Sequence, residues 1–128
     1  MKFLLDTHLL LWIASDSDQL SNQARNLITA LDSELFFSAA SLWEIVIKQS
    51  LGRQDFQVDV RLLRQGLLDN DYQEIQISSK QAITVANLPP IHKDPFGHIL
   101  IAQAMVEEIT LLTSDKLVAQ YSGPIQLV

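Results

Sequence analysis

The segment KFLLDTHLLLWIA, residues 2–14, decides how the rest of this chain is read. Lys2 to Leu5 is a short apolar run of strand length, Asp6-Thr7 is a polar break, and Leu9 to Ala14 is apolar again at helical length. Strand, turn and helix in that order open a β–α unit, and a carboxylate stands where the strand ends. Such a group is costly to desolvate unless something positive meets it. Working outward, three more segments place an acid at a strand end or helix start: SAASLWEI with Glu44, HKDPFGHILIAQA with Asp94, and LLTSD with Asp115.

The elements between them alternate. Ser21 caps an expected helix to about Leu31, with Ala24, Leu27, Ile28 and Leu31 on one face. Leu35 to Phe37 is a second buried strand, and Ser38 to Ser41 turn the chain into a helix that Gly52 stops. Asp59 begins a helix that breaks at Asp69-Asn70-Asp71. Tyr72 to Ile77 reads as a strand with Ile75 and Ile77 inward, and Ser78 or Ser79 caps a helix ended by Pro89-Pro90. Asp94-Pro95 is an N-cap followed by proline at the first helical position, so a helix is expected to about Glu107. Thr110 to Thr113 is a strand, Asp115 to Gln120 a short helix, and Pro124 to Val128 a last strand. Parallel crossovers need covering helices, so the expected fold class is α/β: a three-layer α/β/α sandwich around a mostly parallel sheet. Ligands in such folds collect beyond the C-terminal strand edge, where Asp6, Ser38 and Asp115 fall.

Length and composition agree with one domain over residues 1–128. At 128 residues and 48% hydrophobic, the chain is sized for a single core. The run from Phe3 to Ala14 is broken by Asp6 and His8 and falls short of the roughly 20 residues that span a bilayer. With no cysteine there is neither a disulfide nor a thiolate metal site, which is compatible with a cytosolic home, and any metal is left to oxygen or imidazole. A net charge of −6 argues against a general nucleic-acid coat. Lys48, Arg53, Arg61 and Arg64 cluster, however, either as a basic rim or as solvated helix faces.

Each acid also has an ordinary use. Asp6, Asp94 and Asp115 can cap helices; Glu44 stands at capping-box spacing from Ser41 and one turn before Lys48, so a box and a surface ion pair are both open to it. What joins the four is topology. Acids gathered at one edge raise one another's pKa unless a cation neutralises them, and Mg²⁺ is held by a few carboxylates and its own waters. His8, His92 and His98 match no zinc spacing and are expected to be bystanders.

The LLDTHLLLW start, SAASLWEIVIK, HKDPFGHILIAQA and the LLTSD end together resemble a PIN domain, and more narrowly the VapC-type toxin ribonucleases of prokaryotic toxin–antitoxin pairs. The resemblance covers nearly the whole chain, in order. It implies a cytoplasmic, Mg²⁺- or Mn²⁺-dependent endoribonuclease, a homodimer, with RNA as substrate and a small antitoxin protein as partner. Asp6, Glu44 and Asp115 would hold the metal. Asp94 would complete the catalytic set, and Lys48 and Arg53 would guide RNA. The family's third acid follows the Phe of a DPFDR-like segment and aligns here with Gly97, with His98 in place of arginine. That departure implies a second reading, a degenerate PIN module that binds antitoxin or RNA with little or no cleavage. A haloacid-dehalogenase-like phosphatase needs an aspartate where His8 stands, and a response-regulator receiver needs paired acids and a late lysine that are not cleanly present.

Overall fold

A computed structural model describes residues 1–128. Five strands, β1 (Lys2–Leu5), β2 (Glu34–Ser38), β3 (Gln73–Ile75), β4 (Thr110–Thr113) and β5 (Ile125–Leu127), form one sheet in the order β3-β2-β1-β4-β5. Every pairing is parallel. The first strand lies at the centre, and all three of its apolar residues are buried, shared between the two faces. Phe3 and Leu5 pack into a core with Leu9, Phe37, Ile45 and Leu63, while Leu4 packs into a second with Leu100, Ile101 and Leu111. Helices α1 (Thr7–Ala14), α2 (Asn22–Thr29), α3 (Ala39–Ser50) and α4 (Val60–Asp69) belong to the first layer. The second is built mainly by α6 (Pro95–Glu107), with the short α5 (Ser79–Thr84) packed against it. The result is the expected α/β/α sandwich.

The caps carry much of the local specification. Ser21, Asp59 and Asp94 each accept a backbone N–H at the start of their helix, and Ser78 and Gln81 exchange both bonds of a capping box. Gly52 follows α3 at φ 80°, a left-handed conformation in which a side chain would be strained.

Four expectations change. The second helix stops at Thr29, and Leu31 lies in solvent. The third strand ends at Ile75, leaving Ile77 44% exposed rather than inward, because the Ser78 box draws the chain out of the ladder. Asp115 to Gln120 is no helix: the Asp115 carboxylate accepts the Leu117 N–H at 2.8 Å, and only Val118–Gln120 closes into a 3₁₀ turn. The Ser41–Glu44 capping box does not form either. The helix starts earlier, at Ala39, with the Ser38 hydroxyl accepting the Ala40 N–H, so Glu44 sits in the second turn and is free to face the sheet edge.

Candidate active site

At the C-terminal end of β1 the Asp6 backbone N–H still donates to the Leu112 carbonyl at 3.0 Å, so the carboxylate is fixed by the sheet itself. Its Oδ1 accepts the Thr7 N–H at 2.7 Å, and its Oδ2 accepts the Thr113 hydroxyl at 2.6 Å. Thr113 Oγ1 in turn accepts the Asp115 N–H at 3.0 Å. On the other side, Thr7 Oγ1 donates to Glu44 Oε1 at 2.6 Å and lies 2.9 Å from Ser41 Oγ. Glu44 is only 4% exposed, and its Oε2 takes the Lys48 ammonium at 2.5 Å. The threonines thus form a buried polar seam linking acids that are far apart in sequence, and every member of it is hydrogen-bonded.

Burial pushes the Asp6 carboxyl up from its ordinary value, and the nearby Glu44 charge adds to the rise; the Thr113 hydroxyl, the Thr7 N–H and His8 pull the other way without cancelling it. No ion pair reaches Asp6. A partly buried carboxylate beside a second one, with hydroxyl and amide partners but no cation, is the environment that a hard divalent ion relieves, so the residues fit Mg²⁺ or Mn²⁺ in kind. They are sparse in number: no group of three or more His, Asp or Glu side chains stands close enough to share an ion. Asp6 and Glu44 come together; Asp115 joins them through its backbone, with its Oδ1 turned to Leu117.

Asp94 divides its carboxylate. Oδ1 caps α6 through the Phe96 N–H at 3.0 Å, while Oδ2 faces the notch above Gly97, where it would lie 3.3 Å from a Cβ built on the glycine. The same Cβ would meet His92 Nε2 at 2.7 Å, closer than packing allows. That ring is pinned, since His92 Nδ1 lies 2.8 Å from the Tyr121 hydroxyl and His98 Nε2 lies 2.8 Å from the His92 carbonyl. The carbonyl can only accept, so His98 Nε2 carries a proton. Tyr121 Oη accepts the His92 backbone N–H at 3.1 Å and lies 2.8 Å from His92 Nδ1 and 3.1 Å from His98 Nε2. His92 Nε2 is buried without a hydrogen-bond partner, and an unpaired buried polar atom costs about 1–3 kcal/mol. The three histidines and Tyr121 thus have definite places. His92 walls the notch, His98 bonds the His92 carbonyl, and His8 pairs with Asp55 at 3.2 Å.

Around the acids runs an aromatic and basic border. Lys48 Nζ lies 5.0 Å from the Phe56 ring centre and 5.8 Å from that of Phe96. Arg53 stacks on Phe56 at 5.3 Å but is already held by Asp55 through two nitrogens, at 3.2 and 3.0 Å. Sequence reasoning missed Thr7, Thr113, Trp43 and Phe96. The first two stand beside Asp6 and two residues before Asp115, positions at which a hydroxyl is within reach of an acid. The largest concavity, about 700 Å³ between α1, α2 and α4, is apolar and lies away from this chemistry.

The PIN domain family pattern matches residues 3–124. The chain belongs to the PIN domain family. Among solved structures this PIN domain is similar to VapBC2 from Rickettsia felis, bound to a DNA fragment from its promoter, with a TM-score of 0.72 at 16% identity over 99% of this chain and 98% of that one. It is similar to VapBC-1 from nontypeable Haemophilus influenzae, with a TM-score of 0.65 at 16% identity over 99% and 98%. It is also similar to the PIN domain endonuclease Utp24, with a TM-score of 0.53 at 14% identity over 93% and 74%. At these identities the likeness is one of fold. No curated protein sequence matches the chain. No helix is long and apolar enough to cross a membrane.

Proposed function

We propose that this PIN domain is a Mg²⁺- or Mn²⁺-dependent endoribonuclease and the toxin of a type II toxin–antitoxin pair. The observation that carries the reading is the Asp6–Thr7–Glu44 seam, two acids brought to one strand edge with no cation on the first of them. Asp6 and Glu44 would hold the ion, and Asp115 would have to swing its Oδ2, the oxygen its own turn does not use, toward them to join. The bound ion would polarise a phosphoryl oxygen and activate a water. The chain's own residues do the rest. The Thr7 N–H and the Thr113 hydroxyl fix the Asp6 carboxylate, Thr7 and Ser41 orient Glu44, and Lys48 is placed to exchange Glu44 for a phosphate oxygen.

A cytoplasmic setting, a homodimer and a small antitoxin partner follow from the same reading. It is supported by likeness to the VapBC structures and by the apolar groove lined by Ile13, Ile28, Leu62, Leu63, Leu67 and Tyr72, which an antitoxin segment would cover. The second reading, a PIN module with little cleavage, is favoured by His92 seated where a side chain at residue 97 would begin. Cleavage of RNA by the purified chain in Mn²⁺ decides between them. Activity removed by EDTA and by Asp6→Ala supports the nuclease. Retained folding and antitoxin capture without cleavage supports the module.

A further inference from the structure

Trp43 precedes Glu44 on α3, yet its side chain goes the other way, and 59% of the residue is exposed. A large aromatic residue so open, beside a site rather than on a remote face, calls for a ligand with an apolar face and a polar rim. Its ring is not loose. Phe96, from the start of α6, meets it edge-to-face at 5.5 Å between centres and 81° between planes. Phe96 in turn is the ring 5.8 Å from the Lys48 ammonium, which bonds Glu44. From the carboxylates outward the order is therefore Glu44, Lys48, Phe96, Trp43: acid, cation, supporting ring, open ring.

We propose that Trp43, braced by Phe96, stacks one unpaired base of an RNA strand whose phosphate lies at Lys48. The proposal rests on the nuclease reading and deepens it by naming one residue that contacts the substrate. Stacking tolerates any base because each has a π face, and it requires a base splayed out of a helix. A protein surface is the competing occupant, since Val46, one turn along α3, is also 48% exposed. The neighbouring ammonium argues for the nucleotide: it matches a phosphate, whereas cores of subunit interfaces are depleted in charge.

The test is binding of a short, dye-labelled, unpaired RNA in Ca²⁺, which takes the same oxygen ligands as Mg²⁺. Parallel arms use the same strand with abasic riboses and the same sequence as a duplex. Trp43→Ala is expected to weaken binding of the intact strand about ten-fold or more, Trp43→Phe to recover most of it, and neither to matter for the abasic strand or the duplex. Equal affinities, or an equal loss on the abasic strand, overturn the proposal. So does a dimer-to-monomer shift in sedimentation that accounts for the whole loss. Cleavage that persists in Trp43→Ala with an unchanged KM removes the stacking role and leaves the nuclease reading standing. A wild type that binds through Trp43 but never cleaves does the reverse.

Discussion

The two flanks of the strand edge deal differently with acids. On the Asp6 side two carboxylates survive close together because the threonine hydroxyls, the Thr7 N–H and, on Glu44, the Lys48 ammonium bond them, while Asp6 itself has no cation. On the Gly97 side the first turn of the helix carries no carboxylate of its own, and an imidazole pinned by Tyr121 fills the space beside the capping Asp94. The first flank gives up stability to hold charge, and the second is closed against regaining it. A site missing one acid is therefore more than a site with a gap, because its neighbours have packed into the position.

The sharpest way to break this contrast is Asp6→Asn. Cleavage should fall by about 100-fold or more, because even groups one step removed from a metal ligand cost 10- to 100-fold when lost. The same change should stabilise the fold, since it removes a carboxylate that burial disfavours. A cleavage assay beside a thermal melt reads both. Loss of activity together with a lower Tm would show that Asp6 is structural and would dissolve the contrast.

Gly97→Asp tests the other flank. A Cβ at 2.7 Å from His92 Nε2 forces a pinned ring to move, so the variant should lose about 1–3 kcal/mol, read from the denaturant midpoint at constant slope. Adding His92→Ala should return part of that loss and raise Mn²⁺ affinity about ten-fold in calorimetric titration. A single variant as stable as the parent would show that the notch is open. Equal Mn²⁺ affinities in the parent and the double variant would show that a third acid adds nothing.

The alternation of strands and helices and most helix starts are legible in the sequence because local chemistry sets them. Asp94-Pro95 allows little but an N-cap, and the apolar run ending at Asp6 marks the first strand, whereas its place in the sheet depends on pairings between distant segments. The site is legible only as a list of acids. Whether Glu44 closes a capping box or faces Thr7 depends on the helix starting at Ala39 rather than after Ser41, a shift of a few residues that propensity does not resolve. Whether Gly97 leaves a void or a filled notch depends on His92, His98 and Tyr121 meeting from separate segments, which no short-range pattern encodes. Ile77 fails for the opposite reason, as a correct alternation cut short by the cap that follows it.

The smallest effect expected is in the pH dependence of stability. Folding raises the Asp6 carboxyl, so the native chain holds that proton more tightly than the unfolded chain does. The contribution is therefore fully present below the ordinary carboxylate value and is lost as pH rises through the raised native one, the reverse of an acid held in an ion pair. Melts of the parent and of Asp6→Asn between about pH 3 and pH 8 read this contribution together with its coupling to Glu44, because the acids remote from Asp6 titrate alike in both and drop out of the difference. The variant's advantage should grow with pH and level off once pH has passed the raised native value. Added Mn²⁺ should shrink that advantage by stabilising the parent alone. A difference that stays flat with pH would mean that the carboxylate is already comfortable without a cation, and the asymmetry between the two flanks would then lie in shape rather than charge.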